Sequence, residues 1–416
     1  MRRFALAAVA AAVALSACQD PAGVGLGLID EDQSDPSVLV VPLADIDTLT
    51  TTAPAIGIAD PRNPTRPQGR VLVGDVRDAE FGDATAIAYV DALQPADAQR
   101  VDADDVLQVW LQMPRTYVYG ETTTALPVEL HAIQGSWDAL PRYPADTVFA
   151  VGPTLATATL VASDSLARFD LPASWVRANA ATLVGDSFAE AFEGFSVQTA
   201  PGFMPSPGAV YGLDTFRATD SQGQPQGPLV GLRVATSEDT LTFPLSEVFS
   251  SITTRSPTAA PLSILPVRRG SGSDVRFTAD LGEIGPVPLA RAVVRFPLDQ
   301  RYAQTGTFVR PVAPLAELIG VRDRDGTPQR QFLGFFSLTP SGDFAVVDSR
   351  GLSPSQDLTG VLQRLFADPT DTGFDRYEVV ASPQSSASLD ILPVVLPTPG
   401  MERPPRFVLT VVGAPA

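Results

Sequence analysis

The chain has 416 residues, of which 44% are hydrophobic, and its formal net charge is −18 at pH 7. This length allows two or three domains with cores of their own, and the hydrophobic content is too high for a disordered chain. The acidity disfavours nucleic acid and anionic surfaces as partners. All 29 basic residues are Arg, so catalysis by lysine is excluded. Cys18 is the only cysteine and His131 the only histidine, so a disulfide, a cysteine metal site or a site with several histidines cannot form within the chain.

The N-terminus has the three parts of an export signal: Arg2 and Arg3, an apolar run of 12 residues over 4–15, and Ser16-Ala17 before Cys18. The run is too short for a membrane span, which needs about 20 residues. Its ending resembles a bacterial lipobox. That resemblance implies a signal peptide over 1–17, acylation of Cys18 and membrane contact only through this lipid anchor. The alternative is a soluble exported protein with a free thiol. Residues 18–36 are predicted to form a flexible lipidated tether.

Beyond the tether, short apolar runs alternate with turn signals from 39 prolines and 32 glycines. Representative runs cover residues 106–111, 126–133, 292–296 and 407–412. Short strands at this spacing predict a mainly β chain with two tandem β-sandwich (jelly-roll-like) domains, each with a short helix. The expected boundaries are 37–240 for the first domain, 241–275 for a linker and 276–416 for the second domain.

Two segments are predicted to be helical. One spans 171–192. The other follows Ser355 as N-cap and covers 356–367, with an apolar face formed by Leu358, Val361, Leu362, Leu365 and Phe366. Between the helices, residues 323–326 begin like a calcium loop but lack its Glu at the twelfth position. A hairpin turn at Asp325-Gly326 explains this segment better.

Several motifs, in order, resemble the uncharacterised bacterial lipoprotein family catalogued as domain of unknown function 4270. They lie at 24–29, 72–86, 119–123, 192–195 and 289–294. The best match, 72–86, has Gly74, Asp78 and the Phe81-Gly82 step. Phe195 stands where the family has Leu, and Ala290 where it has Asn. The resemblance implies an outer-membrane, surface-exposed lipoprotein of Bacteroidetes-type bacteria, and it assigns no reaction.

Candidate chemistry is sparse. His131, on a strand pattern, is either a general base or a strand histidine bonded to a neighbour, and no motif nearby supplies a nucleophile. The acidic residues Asp75, Asp78, Glu80 and Asp83 are either a glycosidase carboxylate pair or part of a turn. Asp102, Asp104 and Asp105 form a weak candidate for calcium binding.

Four aromatic residues cluster near strand ends: Tyr117, Tyr119, Trp137 and Tyr143. Exposed rings of this kind can stack on sugars or on a partner chain. Packing in the core or at a sheet edge is the alternative, and the sequence favours it.

These features predict a non-catalytic surface lipoprotein that needs no cofactor and binds a glycan or a neighbouring surface protein. The competing hypothesis is a carboxylate-based surface glycoside hydrolase, with two close carboxylates in a deep cleft and a raised pKa on one of them. A third is an assembly or secretion accessory factor.

Overall fold

A computed structural model describes residues 37–50, 59–60, 63–67, 69–137, 143–144, 146–203, 206–216, 229–255, 264–268, 273–285, 287–299, 301, 304–312, 316–338, 344–347, 357–368, 373–381, 389–395, 401 and 404–412. The predicted signal peptide, Cys18, the tether and the predicted cap Ser355 lie outside the described residues. No helix among the described residues is both long and apolar enough to cross a membrane.

Strands dominate the described chain. In order they are β1 (Ser37–Pro42), β2 (Ala44–Thr50), β3 (Ala59–Asp60), β4 (Asn63–Pro67), β5 (Arg70–Val76), β6 (Ala84–Ala92), β7 (Gln108–Glu121), β8 (Leu126–Ile133), β9 (Val151–Leu160), β10 (Leu166–Asp170), β11 (Phe195–Thr199), β12 (Gly208–Asp214), β13 (Gly231–Ala235), β14 (Thr240–Phe243), β15 (Leu245–Thr254), β16 (Ile264–Arg268), β17 (Ser273–Thr278), β18 (Leu289–Pro297), β19 (Gln304–Thr305), β20 (Phe308–Val309), β21 (Ala316–Arg324), β22 (Thr327–Leu338), β23 (Phe344–Val347), β24 (Arg376–Ala381), β25 (Ile391–Val395) and β26 (Arg406–Val411). The helices are α1 (Ala173–Val184), α2 (Phe188–Ala191) and α3 (Leu358–Ala367), with 3-10 turns at Ala98–Arg100, Ala103–Asp105 and Gly282–Ile284.

Two large, curled antiparallel sheets organise these strands. Sheet I has the order β14-β13-β7-β12-β5-β6-β11-β8-β9, and β10, β15, β19 and β20 join it off this path. Sheet II has the order β1-β26-β18-β23-β22-β21-β24-β17-β16-β25, and β2 joins it at β17. The predicted mainly β, sandwich-like fold is confirmed.

Each sheet covers a core of its own. In β7, Val109, Leu111 and Met113 point into the core of sheet I, and α1 closes that core with Val176 and Leu183. Alternation of side chains along a strand sends the residues between them to the opposite face. The core of sheet II is closed by α3.

Both predicted helical segments are confirmed. The segment 171–192 contains α1 and α2. All five residues of the apolar face predicted for the later helix are buried in α3. Asp357 caps α3, because its side chain accepts a hydrogen bond from the amide N–H of Thr359.

The predicted hairpin turn is also confirmed. Arg324 pairs with Thr327, so Asp325 and Gly326 form a two-residue loop between β21 and β22. Both loop residues have positive φ, 51° and 76°. Turns of this kind match the twist of the flanking strands and favour Asp-Gly.

The division of the chain differs from the expected one. β1 and β2 belong to sheet II, although residue 37 was expected to open the first domain. The expected linker 241–275 contains β15, which pairs with β6 in sheet I, and β16, which pairs with β25 in sheet II. β20, from the second half, pairs with β7 of sheet I. These pairings join residues far apart in the chain. Local hydrophobic patterns predict strands, but they do not predict which distant strands pair.

The two sheets also share a core. This third cluster packs Leu72, Val76 and Tyr119 of sheet I with Phe308, Leu389 and Ile391 from the second half of the chain. The two halves are therefore packed together through a buried apolar contact.

Candidate functional site

The outer face of β10, β7, β13 and β14 carries one tryptophan surrounded by polar side chains. We call it the Trp110 face and define it by Gln108, Trp110, Gln112, Arg168, Asp170, Arg233 and Thr242. These residues point outward because their neighbours along each strand, such as Val109, Leu111, Phe169, Leu232 and Phe243, fill the core.

Strand register places Trp110 at the centre of this face. Trp110 lies opposite Asp170 on β10 and opposite Arg233 on β13. Arg233 in turn lies opposite Thr242 on β14. Residues opposite each other in neighbouring antiparallel strands have Cβ atoms about 5 Å apart, so these four side chains form one row across four strands.

Two guanidinium groups flank the indole ring of Trp110. That of Arg168 lies 4.4 Å from the ring centroid and that of Arg233 lies 6.0 Å from it. The indole N–H donates to the side-chain oxygen of Gln112 at 3.1 Å. The ring is half-buried, and it presents an apolar body beside several donors and acceptors.

Arg168 is neutralised within the face. Its Nε and Nη2 donate to the carboxylate of Asp170 at 3.0 and 2.6 Å, and Gln108 donates to the same carboxylate at 3.0 Å. The side chains of Arg168 and Asp170 are 42% and 53% exposed. An exposed pair of this kind contributes roughly 0–1 kcal/mol, so a ligand can displace Arg168 at small cost.

Arg233 is different, because it is buried. It retains 8% of its accessible surface and donates a hydrogen bond to the hydroxyl of Thr242. Burial lowers the pKa of Arg233, while the charge of Asp239 opposes this effect.

The structure places Tyr117, Tyr119 and Trp137 in two buried clusters and packs the partly buried Tyr143 against one of them. Trp137 and Tyr143 pack with Tyr89, Phe149 and Phe249 on the outer side of sheet I. Trp137 also donates its indole N–H to the carbonyl oxygen of Glu193 at 2.8 Å. Burial of this kind agrees with the packing alternative rather than with a shared exposed binding surface.

Tyr117 and Tyr119 contact the second half of the same chain. The amide N–H of Leu389 donates to the hydroxyl oxygen of Tyr117 at 2.9 Å. The hydroxyl group of Tyr119 donates to Asp78 at 2.6 Å. Both tyrosines are buried. These two rings therefore contact residues of the same chain rather than an exposed ligand surface.

Asp78 belongs to a buried ion pair between the halves. Arg310 donates to both of its carboxylate oxygens, at 2.7 and 2.9 Å, and lies 3.1 Å from Glu80. Burial alone would raise the pKa of Asp78, but the hydrogen bonds from Arg310 and Tyr119 and the charge of Arg310 hold it below its ordinary value. The predicted turn after β5 thus uses Asp78 and Glu80 as structural partners of Arg310.

His131 lies beside a serine and a glutamate. It is opposite Ser196 on β11, and its Nε2 lies 3.2 Å from a carboxylate oxygen of Glu129. Its Nδ1 lies 2.9 Å from the carbonyl oxygen of Gly152, and Ser196 is fully buried. Among the described residues, neither Nε2 nor the hydroxyl group of Ser196 has a hydrogen-bond partner, so the ring does not bond to the serine that it would have to activate. These contacts fit a strand histidine bonded to its neighbours.

The weak calcium candidates lie at a 3-10 turn. Asp104 and Asp105 belong to it, Asp102 precedes it, and Asp105 accepts a hydrogen bond from Ser237 at 3.1 Å. Among the described residues, no group of three or more acidic, His or Cys side chains is arranged to hold a metal ion.

One carboxyl group has a strongly raised pKa. Burial raises the pKa of Asp91 to about 7, the hydrogen bond from the amide N–H of Ala92 opposes the shift, and the charges of Glu247 and Glu193 add to it. A groove of about 480 Å³ lies elsewhere, lined by residues that include Asp45, Asp323 and Arg376 but not Asp91. The carboxyl group with the raised pKa therefore does not line this groove.

Comparison with known proteins returned no matching family model, no matching curated protein and no matching solved structure. Any function proposed for this chain therefore has to be argued from its own residues.

Trp110 was missed at the sequence level. The local signal was the alternation Gln108, Trp110, Gln112 among apolar residues, which predicts a polar strand face bearing one aromatic ring. Sequence clustering favoured Tyr117 and Tyr119 instead, and both are buried between sheet I and residues from the second half of the chain.

Proposed function

We propose that this protein is a non-catalytic, lipid-anchored surface protein that binds a glycan through the Trp110 face. The observation that supports this proposal is a half-buried tryptophan centred on a four-stranded surface, with two arginines and two glutamines beside it. A sugar has apolar C–H faces and polar hydroxyl edges, and this surface offers a matching partner for each.

The anchor and the location are further parts of the proposal. The lipobox-like ending at Cys18 supports export and acylation, and the ordered motifs support membership of the family of domain of unknown function 4270. The proposed location is the outer membrane, with the strand-built part facing outward. A neighbouring surface protein is the other partner class that the same face could serve.

A glycan array tests the proposed function. We expect the full mature chain to bind at least one polysaccharide class, and Trp110→Ala to weaken that binding at least tenfold. Phe335→Ala is the matched control, since Phe335 is an exposed aromatic residue on sheet II. Equal binding by the wild type and Trp110→Ala, or no bound glycan at all, would contradict the proposal.

A second candidate is a carboxylate-based glycoside hydrolase, and of its requirements Asp91 supplies one, a carboxyl group with a raised pKa, outside the groove lined by Asp45 and Asp323. A carboxyl group whose pKa is raised toward 7 can act as a general acid. Release of reducing sugar from the polysaccharides bound on the array, abolished by Asp91→Asn, would support this function over simple binding.

A further inference from the structure

The protein has two buried arginines among its described residues, and they differ in their ion-pair partners. Arg310 is 5% exposed and faces two carboxylates, those of Asp78 and Glu80. Arg233 is 8% exposed, and no ion pair joins it to a carboxylate in the part of the chain that the structure describes. Its hydrogen-bond partner is the neutral hydroxyl of Thr242.

A buried guanidinium with no carboxylate at ion-pair distance among the described residues is costly, although the more distant charge of Asp239 favours its charged form. Arginine stays protonated in proteins, so burial cannot be relieved by loss of the proton. Buried charges are normally paired or hydrogen-bonded to oppositely charged groups. Arg233 thus has unused capacity for an anion, on the face where a ligand is expected.

The position of Arg233 indicates what that anion is attached to. Arg233 and Trp110 are opposite each other on paired strands, with the guanidinium 6.0 Å from the ring centroid. A ligand that reaches both groups has an apolar face and a negative charge within one sugar unit. Guanidinium groups bind carboxylates and other planar or tetrahedral anions through paired N–H donors.

We infer that the Trp110 face takes an acidic glycan, whose carboxylate or sulfate group binds Arg233 while the adjoining sugar ring packs on Trp110. This inference rests on the proposed glycan-binding function and adds the ligand class. Arg168 supplies a second donor once the ligand displaces it from Asp170. The overall charge of −18 repels anions at long range, so recognition depends on this local pairing.

Isothermal titration of the mature chain with matched sugars tests the inference. The probes are oligogalacturonate, its fully methyl-esterified form, a sulfated galactan and the same galactan after desulfation. We expect at least one acidic probe to bind ten times more tightly than its neutral counterpart. The two acidic probes show whether carboxylate or sulfate is preferred.

Variants locate the charge preference. Arg233→Gln is expected to remove the preference while keeping the residual affinity for the neutral sugar, which Trp110→Ala removes. Arg276→Gln, which changes a half-exposed arginine on sheet II, is the control. Because Arg233→Gln replaces a buried arginine, thermal unfolding checks that the variant is folded. If it is not, the comparison of acidic with neutral probes on the wild type still tests the inference.

The outcomes separate this inference from the proposed function. Equal affinity for acidic and neutral probes, or a preference that persists in Arg233→Gln, overturns the inference and leaves glycan binding in place. Absence of binding to both acidic probes, with neutral glycans bound on the array, also overturns it. Absence of all glycan binding overturns both.

Discussion

Arg310 and Asp78 form a two-point ion pair where the two sheets meet, although 232 positions separate them in the chain. The carboxylate of Asp78 also accepts hydrogen bonds from the hydroxyl group of Tyr119 and from the amide groups of Glu80 and Phe81. The guanidinium of Arg310 lies 4.6 Å from the ring centroid of Phe308. The pair therefore joins a turn of sheet I to a segment from the second half of the chain.

Replacing Arg310 with Met is expected to lower the free energy of unfolding by about 3–5 kcal/mol, since it leaves the carboxylate of Asp78 buried without its counter-ion. Urea denaturation measures the change. Arg301→Met is the control, because Arg301 is 87% exposed in its pair with Asp299 and should cost less than about 1 kcal/mol. Similar losses in the two variants would show that the buried pair does not stabilise the contact between the sheets.

The same pair predicts sensitivity to acid. The pKa of Asp78 in the folded protein lies below its ordinary value of 3.8. Its stabilising contribution is therefore complete well above pH 3.8 and is lost as the pH falls through 3.8 toward the folded pKa. The stability difference between the wild type and Asp78→Asn should shrink between pH 5 and pH 3. Asp97→Asn, which changes an exposed ion pair, is the control variant. A constant difference for Asp78→Asn would contradict the assignment.

Asp91 should have the opposite pH dependence. Its pKa rises from 3.8 to about 7 on folding, so its contribution is most favourable below pH 3.8 and is lost as the pH rises to about 7. A shift this large corresponds to about 4 kcal/mol, and partial exposure reduces it to about 2. Asp91→Asn should therefore be more stable than the wild type at pH 8, with a smaller gain at pH 4. Melting temperatures measure this gain, and Asp104→Asn, at an exposed position, is the control. A gain that does not grow with pH would show that Asp91 ionises normally.

The proposed lipid anchor predicts how the native protein partitions between detergent and water. We expect the wild type to enter the detergent phase of a Triton X-114 extract and to carry acyl mass on the peptide that begins at Cys18, because two or more acyl chains give stable anchoring. Cys18→Ser should move to the aqueous phase. A native protein whose intact mass contains no acyl group would remove the anchor from the proposal.

Features encoded by neighbouring residues were predictable. The turn at Asp325-Gly326 follows from the positive φ that such a hairpin loop needs, and the buried face of α3 follows from its apolar spacing. Sheet membership was not predictable in this way. The pairing of Ser37 with Val411 depends on residues at opposite ends of the chain, and neither segment indicates its partner.

For the proposed site, the sequence predicted the type of residue and the half of the chain, but not the residue itself. An aromatic residue on a strand of the first half was expected, but Tyr117 and Tyr119 were proposed where Trp110 is the ring that reaches the outer face. Both tyrosines are covered by residues more than 180 positions away, such as Phe308 and Leu389. That Arg233 has no ion pair with a carboxylate among the described residues becomes visible only when the strands around it are in register.

β1 also determines how the protein would bear a mechanical load. It is the first described strand, it follows the predicted tether, and all six of its residues pair with β26, from Ser37 with Val411 to Pro42 with Arg406. Under the proposed anchoring, tension from the membrane enters the fold at Ser37. A pull along this strand loads its hydrogen bonds together, in shear, rather than opening them one after another from an end. Such an attachment would keep the proposed glycan-binding part folded while a bound polymer pulls against the proposed anchor.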